Sequence, residues 1–431
     1  MVKRIPVLIG LLALLVFALG ASTVAAETPA RSVLNVNYNV DEFGPALASE
    51  NSLDLYLPPE PDGGSKSLRP VVVYIHGGGL MVGDKSNRMP DKVRLFNDLG
   101  YILVSINYRL SPELQENLTG AFAPERVRAP DHIADVAEAI GWLSKNLRSY
   151  GGDPDRLVLI GHSSGAHLAA LAATSPAWLK GRQVSPRQLL GTVTLDTDTL
   201  NIRADMGSAG FCSSASSRLC RLWQVFGTPG EEATEPRWDR VSPLLHADSS
   251  DPEFLLVTQA ARPGRISSNR AMASALGQNP ETSVFGAPYD HEGINTQLGA
   301  ASDSSGMTAA VREFVKSAVA TAKPAGVKIT KRPGNRVVLK VKRKGRSATP
   351  GSQRRKVTFA FRGTGRTSGL QCRIDGKKFT RCGSPKSYRL RTGKHTFRVR
   401  SLFPSGRPGA ERKFTFRIVH SQSRRSSPAL R

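Results

Sequence analysis

Apolar residues fall into distinct patterns along the chain. Leu34 to Val40 and Leu53 to Leu57 alternate apolar with polar positions, as half-buried antiparallel strands do. Pro70 to Ile75 and Ile102 to Ile106 are near-continuous apolar runs, which strands covered on both faces of a parallel sheet require. Pro90 to Leu99 reads as helical, and Asp131 to Leu147 sets Ile133, Val136, Ala137, Ile140, Trp142 and Leu143 at roughly helical spacing. Further strands are expected at Leu157 to Ile160, Gly191 to Leu195, Phe254 to Thr258 and Thr282 to Phe285, with a helix around Met307 to Val319. Strands alternating with helices predict an α/β fold with a mostly parallel central sheet.

Towards the C-terminus the period changes. Val337 to Val341, Val357 to Phe361, His395 to Arg400 and Phe414 to Ile418 largely alternate with period two, and Gly/Pro/Ser turns rather than helices separate them. Short strands of this kind within about ninety residues predict an all-β sandwich. At the other end, Lys3 and Arg4 precede an apolar run from Ile5 to Leu19 and the small-residue ending Val24-Ala25-Ala26. That is the pattern of a secretory signal peptide cleaved after Ala26, and the run is short for a membrane span. The expected organisation is a signal peptide over 1–26, an α/β module over 27–322, a linker over 323–332, a sandwich over 333–419 and a disordered basic tail over 420–431.

Charge sharpens this division. The formal net charge is +25, yet residues 323–431 hold 32 Lys and Arg against Asp375 and Glu411 alone, a net of +30, while the rest of the chain nets −5. A field of that size on about a hundred residues favours an anionic partner through salt-sensitive attraction. For an exported chain the candidates are anionic cell-wall or surface polymers; nucleic acid is the poorer expectation, because no aromatic stacking platform stands out. The cysteines form two close pairs, and in an exported chain they predict the disulfides Cys212–Cys220 and Cys372–Cys382. No His/Cys/carboxylate cluster at metal spacing and no phosphate-cradling loop is seen, so neither a metal nor a cofactor is expected.

The candidate chemistry centres on residues 157–171. Four apolar residues run into Gly161-His162-Ser163-Ser164-Gly165 and then an Ala/Leu-rich segment: a buried strand, a tight turn and a helix, with Ser163 at the turn. Directly after the apolar run ending at Ile75 comes His76-Gly77-Gly78-Gly79, where glycines let backbone amides approach a ligand. In acyl transfer such amides stabilise the charge that develops on the carbonyl oxygen. The expected oxyanion donors are the amides of Gly78, Gly79 and Ser164.

These two motifs, with Tyr108-Arg109-Leu110-Ser111-Pro112 and Tyr150-Gly151-Gly152-Asp153-Pro154, resemble α/β-hydrolases of the bacterial esterase/lipase, hormone-sensitive-lipase-like group over roughly residues 45–316. The resemblance implies a serine carboxylic-ester hydrolase with a Ser-acid-His triad and no cofactor. It also implies that the base comes last in the chain, which points to His291 in His291-Glu292-Gly293-Ile294-Asn295. In most of the group the acid follows the seventh strand, but here that loop, residues 258–265, holds no carboxylate. Some α/β-hydrolases place it after the sixth strand, which points to Asp196 or, as the alternative acid, Asp198; a dyad without an acid is a further alternative. Around Cys372 and Cys382 the basic region resembles a bacterial Ig-like module of exported proteins. Two insertions, Trp178 to Pro186 and Asn201 to Trp238, interrupt the core pattern, and the second, with its cysteine pair and apolar side chains, is expected to cap the acyl pocket.

The sequence thus predicts a secreted serine esterase with a basic Ig-like appendage. An amidase or polysaccharide deacetylase on the same triad is the alternative within the enzyme class. A catalytically dead hydrolase fold acting as a surface-binding protein is the alternative outside it.

Overall fold

The computed structural model describes residues 31–39, 49–60, 67–207, 211–339 and 353–420. The signal peptide, the end of the strand expected at Val337 to Val341 and all but His420 of the basic tail lie outside these residues. Among the described residues no helix is long and apolar enough to cross a membrane.

The first module is built on β1 (Arg31–Asn37), β2 (Ser52–Leu57), β3 (Arg69–Ile75), β4 (Ile102–Ile106), β5 (Gly152–His162), β6 (Leu189–Leu195), β7 (Glu253–Gln259) and β8 (Val284–Ala287). They form one sheet in the order β1-β2-β4-β3-β5-β6-β7-β8. The pairs β1–β2 and β2–β4 are antiparallel, and every pair from β4–β3 to β7–β8 is parallel.

The apolar runs divide between two layers, as the pleat demands. Val71, Val73 and Ile75 of β3 pack with Ile133, Ile140 and Leu168 in the layer of helices Asp131–Asn146 and Ser164–Thr174. Val72 and Tyr74 face the opposite layer, with Phe96 of helix Met89–Asn97 and Val311 and Val315 of helix Met307–Thr321. Every residue of β4 is buried, which is why its sequence does not alternate.

The second module is all-β: β9 (Gly326–Lys331), β10 (Arg336–Leu339), β11 (Arg355–Thr364), β12 (Gly369–Ile374), β13 (Thr380–Arg381), β14 (Lys386–Leu390), β15 (Gly393–Leu402) and β16 (Pro408–His420). A five-stranded sheet, β10-β16-β15-β12-β13, and a three-stranded sheet, β14-β11-β9, enclose a core in which Phe359 stacks on Phe397 at 4.0 Å beside Phe414 and Phe416. The expected linker over 323–332 is corrected in part: β9 lies within it and pairs antiparallel with β11. Val327, which β9 buries, and the half-buried Ile329 give this segment a place in the core.

The modules meet at the start of β5, the end of the sheet away from Ser163. Ser405 donates from its backbone N and Oγ to the buried Asp155 carboxylate at 2.8 and 2.9 Å. Arg407 approaches Asp155 at 3.2 Å and Asp153 at 3.4 Å, and Arg366 donates to the Asp155 carbonyl.

Candidate active site

Ser163 sits between the end of β5 and the helix Ser164–Thr174, at φ 54° and ψ −120°. For a residue with a Cβ such backbone stores on the order of 1–3 kcal/mol, held in place by its surroundings. Close packing of neighbouring backbone does the holding. A Cβ on Gly161 would stand 2.1 Å from the Gly165 carbonyl oxygen, and one on Gly165 would stand 2.2 Å from that of Ile75, so both positions require glycine. The Ser163 amide also donates to the Leu195 carbonyl at 2.8 Å, fastening the turn to the end of β6.

Two side chains distant in sequence converge on this turn. His291 opens the short helix His291–Gln297, which Asp290 caps by accepting from the Gly293 amide at 2.7 Å. Asp290 is therefore engaged with its own helix. His291 Nε2 lies 2.9 Å from Ser163 Oγ, and its Nδ1 lies 2.7 Å from Asp196 Oδ2. Asp196 follows β6 and is fully buried. Its carboxylate accepts from Thr258 Oγ1 at 3.1 Å, from the Gln259 amide at 3.1 Å and from Gln259 Nε2 at 2.6 Å, and it pairs with the Arg265 guanidinium. Burial alone would raise its pKa, but the hydrogen bond from His291, the charge of Arg265 and the Gln259 contacts outweigh it and hold the group at about 2. Asp198 does not join His291; it sits at the cleft wall with Oδ2 3.3 Å from Arg265 Nη2.

Gly78 and Gly79 adopt φ 120° and 64° and line the same cleft as Ser163 and Ser164. The Gly78 carbonyl accepts from the amides of Met81 and Val82, at 3.1 and 3.0 Å, while the Gly78 and Gly79 amides have no acceptor among the described residues. Ser164 stands in the first turn of its helix, where amides lack intrahelical partners. The Tyr-Arg-Leu-Ser-Pro motif braces this loop from behind. Tyr108 donates to the His76 carbonyl at 2.9 Å and stacks on its ring at 4.5 Å, and the Ser111 amide donates to the Leu80 carbonyl at 2.8 Å. Arg109 grips Asp135 with Nε and Nη2, both at 2.8 Å.

The cleft has a volume of about 630 Å³. One wall is the helix Arg218–Phe226 of the second insertion, which contributes Arg218, Arg221, Leu222, Val225 and Phe226. Cys212 and Cys220 at the base of this helix, and Cys372 and Cys382 in the second module, lie at disulfide distance, with Cα separations of 4.9 and 5.9 Å. Trp178 of the first insertion lies away from the cleft, with the Arg240 guanidinium 5.5 Å from its ring. Ligand atoms of His162, His291 and Glu292 cluster within 4.8 Å. Both His291 nitrogens are occupied by Ser163 and Asp196, however, and His162 Nε2 faces the His291 carbonyl at 2.9 Å. Burial and the neighbouring His291 push the His162 pKa down to about 4, which leaves its ring neutral near pH 7.

Sequence reasoning passed over Arg265, which touches Asp196 and Asp198 and comes within 3.2 Å of His291 Nδ1. The signal was the loop after β7, which carries this cation where the resemblance leads one to look for an anion.

A mostly parallel eight-stranded sheet whose fifth strand turns through a serine elbow into a helix is the α/β-hydrolase fold. The BD-FAE family model matches residues 53–262 of the chain. Esterase LipQ of Mycobacterium tuberculosis is 38% identical over 133 residues, which are 31% of this chain and 28% of that protein. Phenmedipham hydrolase of Pseudarthrobacter oxydans is 38% identical over 144 residues, 33% of this chain and 26% of that one. The chain thus spans about a quarter of the length of these curated relatives. Esterase B of Lactobacillus rhamnosis shares the fold with a TM-score of 0.50 at 18% identity, covering 68% of this chain and 87% of its own.

Proposed function

We propose that the protein is an exported serine hydrolase that cleaves carboxylic esters through an acyl-enzyme on Ser163. The observation that carries this reading is the continuous relay Ser163–His291–Asp196 at the foot of a cleft into which two unpaired loop amides also open. In the first step His291 Nε2 takes the Ser163 proton as Oγ attacks the ester carbonyl, and the amides of Gly78, Gly79 and Ser164 receive the oxyanion. Each such donor lowers the barrier by about 3 kcal/mol. Asp196 keeps the imidazole in the tautomer with the proton on Nδ1 and stabilises the imidazolium. His291 then protonates the leaving alkoxide. Water attacks the acyl-enzyme by the same route, releasing the acid and restoring Ser163.

Ester substrates are also what the names of the related esterases suggest. The signal-like segment over 1–26 and the two cysteine pairs support export, and the second module is taken as an Ig-like sandwich. The direct test is labelling of the full chain with a fluorophosphonate probe. Labelling that disappears in Ser163→Ala and persists in Ser164→Ala is expected; a folded protein that resists the probe, or one still labelled without Ser163, would overturn the proposal.

A further inference from the structure

The outward face of the five-stranded sheet is arranged in rows of cations. In register across β10, β16 and β15 stand Arg336, Arg417 and Lys394. Across β16, β15 and β12 stand Lys413, Arg398 and Arg373. Arg400 and Arg381 flank Gln371 at the far end. One carboxylate shares this face, Glu411, and it pairs with Arg398.

Like charges directly opposite each other on neighbouring strands destabilise a sheet. Here four such pairs are set in two rows: Arg336 opposite Arg417, Arg417 opposite Lys394, Lys413 opposite Arg398 and Arg398 opposite Arg373. Part of the face is also held rigid. Arg373 and Arg400 both lie over the Phe379 ring, at 4.5 and 4.1 Å, and Arg400 Nε donates to Gln371 Oε1 at 2.9 Å. Guanidinium groups fixed in this way lose little freedom when they bind a carboxylate.

We propose that this face is a binding surface for a carboxylate-bearing linear polysaccharide, a polyuronate, running across the strands. Adjacent strands lie about 4.8 Å apart, so a chain laid across them meets a cation at intervals close to the length of one sugar unit. The only apolar side chains among the outward positions of these strands are Val338 and Val419, so nothing of size is offered to the acyl region of a bilayer. Phe379, clamped under two guanidinium groups, is not free to stack on nucleic-acid bases. The modules join at the start of β5, so the polymer is held away from the cleft and serves as an anchor. Such binding goes beyond ester hydrolysis and does not require it.

The other sheet supplies the control. Its outward positions also carry cations, among them Lys328, Lys356, Arg362 and Arg389, and a neutral pair separates the charged rows on both sheets, Thr396 with Thr415 on the face and Thr358 with Ser387 here; the difference is width, since this sheet has three strands and its rows are two cations long rather than three. Two variants of the full chain are compared, each losing four charges. The face variant is Arg336→Gln, Lys394→Gln, Lys413→Gln and Arg417→Gln; the control variant is Lys328→Gln, Lys356→Gln, Arg362→Gln and Arg389→Gln. Binding to polygalacturonate is measured against salt, with a neutral glucan, duplex DNA and vesicles of anionic phospholipid as comparison probes. Expected are salt-sensitive binding to polygalacturonate in preference to the other probes, and a loss of roughly tenfold or more in the face variant with little change in the control. Equal losses in the two variants, or tighter binding to vesicles or DNA than to polygalacturonate, would overturn the proposal. An unchanged β-strand signal in circular dichroism and an unchanged thermal unfolding profile show that the face variant is folded, and serine labelling tests the hydrolase reading separately.

Discussion

At the residue scale the unusual feature is a buried carboxylate shared between an imidazole and a guanidinium. Asp196 Oδ2 faces His291 Nδ1, Gln259 Nε2 and Arg265 together, and with a pKa of about 2 it stays ionised. A carboxylate whose pKa is depressed on folding stabilises the protein above its unfolded pKa of about 4, and that contribution is lost as pH falls towards 2. Arg265→Met removes part of this depression. The stability difference between wild type and Arg265→Met, measured by thermal unfolding, is therefore expected to be largest at neutral pH and to shrink below about pH 4; a gap independent of pH would mean that Arg265 acts through packing alone. Ester hydrolysis by this variant is expected to fall mainly in kcat, because Arg265 orients Asp196 and Asp196 orients His291.

At the scale of elements, one buried guanidinium makes several of the bonds that hold the helix Arg218–Phe226 to the rest of the module. Arg126 donates to the Trp223 carbonyl at 3.0 Å, to the Gln224 carbonyl at 2.9 Å and to both Glu231 oxygens at 2.9 and 2.8 Å. Burial tends to raise the pKa of Glu231, yet the Arg126 contacts and the Thr228 amide bring it down to about 2. Arg126→Met removes these donors and leaves Glu231 with the Thr228 amide and the Arg128 guanidinium, so the thermal unfolding midpoint is expected to fall. Its effect on catalysis is expected as a higher KM for longer acyl esters with kcat little changed, measured with p-nitrophenyl esters of increasing length; a fall in kcat alone would mean the helix is not a substrate wall.

The same scale explains what the sequence made legible. β3 and β4 were readable because both faces are buried, and the elbow because steric contact demands Gly161 and Gly165. β9 reads as linker because Lys and Thr surround Val327 and Ile329; its partner β11, rather than its own pattern, makes it a strand. The choice between Asp196 and Asp198 was open because both follow the same strand, and only the fold decides which reaches His291.

At the scale of the whole molecule, two modules of opposite charge are joined through a buried aspartate. Asp155 has 1% of its side-chain surface exposed and receives Ser405 and Arg407 across the junction. Ser163 lies just beyond the other end of the eleven-residue strand, eight residues on and so roughly 26 Å away at about 3.3 Å per residue. Asp155→Ala is therefore expected to lower the thermal unfolding midpoint, because Ser405 loses its acceptors and Arg407 keeps only Asp153, while kcat on a short ester is unchanged. A loss of activity in the folded variant would show that the modules communicate.

The central claim is that Ser163, His291 and Asp196 work as one unit, and the most direct measurement is steady-state hydrolysis of p-nitrophenyl acetate and butyrate by the full chain beside Ser163→Ala, Asp196→Asn and Asp198→Asn. Losses of about a thousandfold or more in kcat for Ser163→Ala and Asp196→Asn, with Asp198→Asn within a few-fold of wild type, are expected. Activity that survives Ser163→Ala, or that depends on Asp198 and not on Asp196, would contradict it.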